Sequence, residues 1–73
     1  MYENIFNKIP HATLTRLYDY VKIGQIGGDK GYCRAKIVTA CSVLYDCGYL
    51  TMTERAEVSL YFRQLLKDGA CEA

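Results

Sequence analysis

Apolar residues recur at the spacing of a helix in three separate segments of the sequence. The clearest is the second, where Cys33, Ile37, Ala40, Cys41 and Leu44 mark one face of a helix. Residues spaced three or four apart lie on the same side of an α-helix, so such a face needs a partner surface to cover it. The pattern predicts an all-α domain in which three helices bury each other's apolar faces, with the second helix at the centre.

Signals at the helix ends predict three helices, at about residues 10–23, 32–47 and 52–67. Pro10 suits the first turn of a helix, and Gly24 suits the position just past a helix end. Thr51 and Glu54 have the spacing of a capping box, in which each side chain accepts a hydrogen bond from the other residue's backbone amide. The start of the third helix is therefore the best-specified local feature.

The composition fits a single domain, residues 1–73. The chain is 51% hydrophobic and 23% charged, and it has no uninterrupted apolar run that could span a membrane. We expect residues 1–9 to add a short helical turn through Ile5 and Phe6 or to lay these two side chains across the helices. Residues 1–9 and 70–73 are also where fraying is expected. Because the opening residues lack the apolar core of a signal peptide, we expect a cytoplasmic protein.

Four of the six glycines lie in the segment VKIGQIGGDKGY, residues 21–32. A nucleotide-binding P-loop requires a lysine and a hydroxyl residue after its last glycine, whereas Tyr32 follows Gly31, and the dinucleotide-binding spacing also fails. A weaker anion site remains at the start of the second helix, where Lys30 and Arg34 lie one turn apart with Lys36 close by. We favour the simpler alternative, a joint between two helices.

The residues that usually carry catalysis or bind metals are sparse. The four cysteines lack the short spacing of a zinc site, and His11 is the single histidine. Cys33 and Cys41 share the inner face of the second helix and are expected to be buried as reduced thiols. We therefore expect no metal, no cofactor and no enzymatic activity, since a chain this short rarely encloses a substrate pocket.

Seven tyrosines are the most unusual part of the composition. Tyr18 and Tyr61 fall on apolar faces and are expected in the core. The four that fit these faces less well are predicted to bind a partner: Tyr20, Tyr32, Tyr45 and Tyr49. Exposed tyrosine is enriched at protein interfaces. We favour Tyr45 and Tyr49, which flank Gly48. The open alternative is that a small domain has little interior and exposes aromatic surface for that reason.

The charge balance bears on the class of partner. Nine lysines and arginines against eight carboxylates give a net charge of +1, a weak excess for a nucleic-acid-binding domain. The second and third helices have the connection length of a helix-turn-helix, but Glu54 and Glu57 flank Arg55 in the first turns of the would-be recognition helix. A helix-turn-helix-like regulator remains the alternative, and a single basic face containing Lys30, Arg34 and Lys36 would favour it.

The segment IPHATLTRLYDYVKIGQIGG, residues 9–28, resembles the opening of a group of short phage and bacterial helical proteins. In that group a helix ending in Y-V-x-x-G leads into a glycine pair and a second helix. The matching residues are Ile9, Pro10, Thr13, Leu17, Tyr20, Val21, Gly24, Gly27 and Gly28. After Gly28 the sequence departs from the group, with Asp29, Lys30 and Gly31 in place of an aromatic and a run of aliphatic residues.

The resemblance implies a phage or other mobile-element source and assigns no activity. Combined with the tyrosines, it leads to the hypothesis of a small non-catalytic module that inhibits or modulates a host protein by covering a functional surface. Components of defence or transcription machinery are the expected targets. Self-association through the same apolar surface, giving a homodimer, would relieve the small core and is a further expectation.

Overall fold

The computed structural model describes residues 3–68, which form four helices: α1 (Glu3–Phe6), α2 (His11–Gln25), α3 (Lys30–Asp46) and α4 (Met52–Asp68). Residues 3–68 contain no strand, so the all-α prediction is confirmed. The helix count is four rather than three because the residues before Pro10 form the short α1. Each of the three long helices packs against the other two, and the contact between α3 and α4 is the most extensive.

The core lies between the three long helices. Its fully buried side chains include Leu17 of α2, Ile37 of α3, and Val58 and Phe62 of α4. The apolar face predicted for α3 is confirmed, since its two cysteines, Ile37 and Leu44 are buried and Ala40 is partly buried against them. The inner face of α4 consists of Val58, Phe62 and Leu66, with Phe62 at its centre.

The inner face of α2 differs from the prediction. Leu17, Val21 and Gly24 are buried, whereas Tyr18 is 42% exposed. Tyr18 lies beside the buried face, and its ring meets Phe62 edge-on with the centroids 4.9 Å apart. Tyr20, one of the four tyrosines that were predicted to bind a partner, is partly buried against the core.

Gly24 was predicted to lie just past the end of α2, but it lies inside the helix. The helix ends at Gln25, and Gly27, which follows the C-cap Ile26, has a φ of 111° in the left-handed region that favours glycine. The Gly28 N–H donates to the Ile23 carbonyl (2.9 Å), which is the hydrogen bond of a Schellman turn. Helix α3 has a similar C-terminus, in which Gly48, with a φ of 87°, follows the C-cap Cys47 and the Tyr49 N–H donates to the Leu44 carbonyl.

The start of α3 completes the joint between α2 and α3. Asp29 is its N-cap, and the carboxylate of Asp29 accepts a hydrogen bond from the Tyr32 amide (3.1 Å). Helix α3 therefore begins at Lys30 rather than at Tyr32. The glycine-rich segment is therefore a joint with a hydrogen bond on each side. The Gly28 N–H caps the end of α2, and the Asp29 carboxylate caps the start of α3.

The capping box at the start of α4 is confirmed. The Glu54 N–H donates to Thr51 Oγ1 (3.1 Å), and the Thr51 N–H donates to Glu54 Oε1 (2.9 Å). Lys8 Nζ donates to the same Glu54 oxygen (2.6 Å), so the capping box also ties the N-terminal segment to α4. This hydrogen bond from Lys8, together with the one from the Thr51 backbone, lowers the pKa of Glu54.

The N-terminal segment combines the two arrangements that were expected for it. Ile5 and Phe6 lie in a short helix, and both side chains pack against the core. The Phe6 ring stacks on Phe62 with the centroids 5.8 Å apart. Ile9, which follows α1, and Leu50, between α3 and α4, are buried without having been predicted in the core. The predicted fraying of residues 70–73 lies outside the described residues.

We expect Thr51→Ala to lower the free energy of unfolding by about 1 kcal/mol, because the Glu54 amide loses its side-chain acceptor. Urea denaturation followed by circular dichroism measures this loss. Thr53→Ala is the matched control, because Thr53 is exposed in the same turn and alanine favours a helix interior. An equal loss of stability in both variants would contradict the capping role of Thr51.

Candidate binding grooves

Two grooves flank α3, one on each side. The first, here called the α2/α3 groove, has a volume of about 410 Å³ and lies between α2, α3 and the segment that follows α3. The second, here called the α3/α4 groove, has a volume of about 580 Å³ and lies between the start of α3 and the end of α4. Most residues that the sequence singles out for binding lie in or beside one of them.

The α2/α3 groove combines apolar surface with cations. Tyr20 and Tyr49 line it together with Val43, and Tyr49 and Val43 are 45% and 51% exposed. Arg16 on α2 and Lys36 on α3 also line this groove. No carboxylate lines it among the side chains that the structure describes. The structure thus brings together three of the predicted site residues, namely Tyr20, Tyr49 and Lys36.

The other two predicted tyrosines lie elsewhere. Tyr32 is 58% exposed on the first turns of α3, and Lys36 Nζ lies 5.2 Å from its ring centroid. Tyr45 is partly buried and faces Arg55 of α4, whose guanidinium carbon lies 5.1 Å from the ring centroid. Tyr45 and Tyr49, the favoured pair, therefore contact different neighbours, because the left-handed turn at Gly48 separates them.

The α3/α4 groove is basic. Lys30 and Arg34 of α3 line it together with Arg63 and Lys67 of α4. Arg63 is partly buried, and its Nε donates to the Ser59 carbonyl (3.3 Å), which orients the guanidinium. Lys36, the third predicted anion contact, lies in the α2/α3 groove instead. The single basic face containing Lys30, Arg34 and Lys36, which would favour a nucleic-acid regulator, is therefore not formed, and Lys30 and Arg34 share their groove with cations of α4 instead.

Arg63 and Lys67 line the α3/α4 groove but were not predicted as site residues. Their spacing of four places both on one side of α4, which was a usable signal. What was missing was the alignment of the two helices: the antiparallel packing brings the start of α3 next to the end of α4. Charges more than 25 positions apart in the sequence then share one groove.

The cations in both grooves are available to a partner. The ion pair between Lys8 and Glu54 involves none of the cations that line the two grooves. A charge that already has an internal partner gains little from a second one, whereas an unpaired exposed cation can pair with an incoming anion. Among the side chains that the structure describes, no carboxylate lines either groove, so both grooves present positive charge to a partner.

Three of the four cysteines lie within the described residues. Cys33 and Cys41 are buried as predicted, and Cys47 is exposed beside the α2/α3 groove. Burial raises the pKa of Cys41 to about 11, and the nearby Arg63 and Arg55 only partly oppose this effect. The fourth cysteine, Cys71, lies outside the described residues. In the described part of the chain, no cluster of His, Cys, Asp and Glu could hold a metal ion, and no helix could cross a membrane.

We expect the thiols to differ sharply in reactivity, since only Cys47 is exposed among the described cysteines. In a Cys71→Ser background, a thiol reagent at neutral pH should label Cys47 rapidly and label Cys33 and Cys41 only after denaturation. Mass spectrometry of the alkylated protein gives the sites and their order. Rapid labelling of Cys41 in the folded protein would contradict the packing of α3.

Comparison of the chain with protein-family models, with curated proteins and with solved structures found no match. The fold and the chemistry of the two grooves are therefore the basis for a functional proposal.

Proposed function

We propose that this protein is a small non-catalytic binding module that captures a protein partner through the α2/α3 groove. The observation that carries the proposal is the composition of this groove, in which Tyr20, Tyr49 and Val43 present aromatic and aliphatic surface beside the cations Arg16 and Lys36. Central apolar and aromatic contacts with a charged rim are the usual anatomy of a protein interface.

The groove also indicates the chemistry of the partner. A channel between two packed helices accepts the apolar face of a third helix, which anchors through side chains three or four residues apart. Because Arg16 and Lys36 flank the groove with no described carboxylate beside them, the partner segment should carry acidic residues next to its apolar anchors. The proposed occupant is thus an acidic amphipathic helix of another protein.

Such binding would act by steric occlusion. The resemblance of residues 9–28 to short phage and bacterial proteins supports a mobile-element inhibitor or modulator that covers a functional surface of a host protein in defence or transcription. Three of the residues that carry the resemblance line the groove, namely Pro10, Thr13 and Tyr20. A homodimer joined through the same groove is a competing occupant, and light scattering at several protein concentrations separates the two cases.

The helix-turn-helix alternative places α4 in the major groove of DNA. The start of α4 carries Glu54, whose carboxylate accepts hydrogen bonds from Lys8 and from the Thr51 backbone. A carboxylate fixed in this position would face the DNA phosphates, which repel it. The protein-binding proposal is therefore the better supported of the two.

The test is affinity capture from native-host lysate, run with and without nuclease, using three forms of the tagged protein. The groove variant is Val43→Ser with Tyr49→Ala, and the control is Met52→Ala with Leu60→Ser, which removes comparable exposed apolar surface outside the groove. We expect the wild type and the control to retain one stoichiometric protein. The groove variant should bind the purified partner at least about tenfold more weakly, because it loses a central aromatic contact.

Circular dichroism and thermal melts of all three forms show whether the variants are folded. If the folded groove variant retains the partner as well as the wild type, the α2/α3 groove is not the binding surface. If recovery of the partner requires intact nucleic acid, the protein is not a direct protein-binding module.

A further inference from the structure

We propose that the α3/α4 groove is a second binding site, which takes the phosphate backbone of duplex nucleic acid without reading its base sequence. The observation behind this proposal is the cluster of Lys30, Arg34, Arg63 and Lys67 around one groove of about 580 Å³. This site lies on the opposite side of α3 from the α2/α3 groove, so it is independent of the proposed protein partner.

The four charges of the cluster repel one another within each helix. Lys30 and Arg34 lie four residues apart on α3, and Arg63 and Lys67 lie four residues apart on α4. Like charges at this spacing destabilise a helix by a few tenths of a kcal/mol per pair. No described carboxylate lines the groove to offset this repulsion. An anionic ligand bound in the groove would offset it.

The density of the charges favours nucleic acid over an acidic protein. Four helical residues span about 6 Å, and packed helices lie about 8–10 Å apart, so the four cations cover a compact patch. Each strand of a duplex presents one phosphate charge per about 3.4 Å of the axis, or about two charges over that length, and the duplex has two such strands. An acidic helix with carboxylates one turn apart presents about two charges in total over the same length. A duplex can therefore match all four cations through both of its strands, whereas a single acidic helix cannot.

The remaining lining of the groove agrees with binding to phosphates. Two of the four cations are arginines, whose planar guanidinium groups suit phosphate oxygens, and the hydrogen bond to the Ser59 carbonyl orients that of Arg63. Gly31 contributes no side chain to obstruct the approach, and Leu60 is uncharged. Among the described residues that line the groove, none is aromatic, so bases have no ring to stack on. The geometry therefore fits the outside of a duplex and not a single strand.

The site also differs from a helix-turn-helix in its location. A helix-turn-helix uses the start of its second helix, which here is the start of α4 beside the connection 47–51. The four cations instead lie at the other end of the helix pair, where α3 begins and α4 ends. Sequence-independent contact to phosphates needs no helix inside the major groove.

The test measures binding of a fluorescein-labelled duplex of about 20 base pairs by anisotropy, over about 25–200 mM NaCl. For four neutralised phosphates, the plot of log K against log salt should have a slope of about −3.6. Lys30→Glu with Arg34→Glu should weaken binding at least about tenfold at the lowest salt concentration and bring the slope to about −1.8. Glutamate at the first turn of α3 suits the helix dipole, so this variant should stay folded.

The matched control is Arg16→Glu with Lys36→Glu, which makes the same change in net charge on the other side of α3. It should bind the duplex within about threefold of the wild type, since neither residue lines the α3/α4 groove. If both double variants lost duplex binding equally, the duplex would be attracted by the net charge of the protein alone, and the α3/α4 groove would not be the binding site. If the protein bound poly-glutamate more tightly than the duplex, the proposal that the ligand is a nucleic acid would be wrong.

Duplex binding by the α2/α3 groove variant tests the second site independently of the proposed protein-binding function. Val43→Ser with Tyr49→Ala leaves all four cations in place and should bind the duplex like the wild type. Tighter binding of a single-stranded oligonucleotide of the same length would overturn the preference for duplex that the absence of a stacking ring predicts.

Discussion

Phe62→Ala should remove a large part of the stability of the protein. Phe62 is fully buried, and its ring lies within 6 Å of three other rings, with centroid distances of 5.8 Å to Phe6, 4.9 Å to Tyr18 and 5.2 Å to Tyr61. Truncation of a buried phenylalanine costs about 3–5 kcal/mol, whereas a chain of this length has a total stability of roughly 4–11 kcal/mol. Urea denaturation at 25 °C should show a large fall in the midpoint.

Two variants control for effects other than the cavity. Phe62→Leu keeps most of the volume and should cost less than about 1.5 kcal/mol. Tyr18→Ala removes a ring from the same cluster, but Tyr18 is 42% exposed and should cost less than Phe62→Ala. If Phe62→Ala lowered stability by less than Tyr18→Ala, the ring cluster would not be centred on Phe62.

Gly24→Ala should also destabilise the protein, although alanine is the better helix former. An added Cβ at Gly24 would collide with Leu66 Cδ1 of α4, and Leu66 is itself buried. Alanine in a helix interior gains about 1 kcal/mol over glycine, and overpacking of a core costs about 1–3 kcal/mol. We therefore expect a net loss of roughly 1 kcal/mol in the free energy of unfolding, measured by urea denaturation.

The second half of this prediction is a double-mutant cycle with Leu66→Ala. In that background the methyl group at position 24 meets no Leu66 side chain, so Gly24→Ala should raise stability by about 1 kcal/mol through helix propensity alone. The sign of the Gly24 effect should thus reverse between the two backgrounds. If Gly24→Ala changed stability in the same direction in both backgrounds, the close approach of α2 and α4 would not require glycine at position 24.

The parts of the fold that could be predicted from the sequence are those that local chemistry determines. The apolar face of α3 follows from helical periodicity, and the capping box at Thr51 follows from two hydrogen bonds within one turn. Gly24 was misinterpreted because a glycine near the end of a helix has two uses, as a terminator and as a close contact. Only the position of Leu66 on another helix distinguishes them. The burial of Ile9 and Leu50 depends on tertiary packing in the same way.

The candidate sites depended even more on the arrangement of the helices. Tyr49 and Lys36 were chosen for their residue types, and the structure places both in one groove with Tyr20. Tyr45 and Tyr49 were preferred because they flank Gly48 in the chain, but Tyr45 lies within α3 and meets Arg55 of α4 instead. Antiparallel packing of α3 and α4 places Arg63 and Lys67 in the α3/α4 groove. The spacing of residues within one helix does not predict how two helices align.

The short joints between the long helices have a consequence for the folding rate. Because the connections 26–29 and 47–51 are brief, many native contacts form between neighbouring helices, and such a low contact order is typical of domains that fold in microseconds to milliseconds. The pairing of Lys8 with Glu54 is different, since it joins residues 46 positions apart and closes a long loop. Docking of α1 is therefore expected after the transition state, once the three long helices have already assembled.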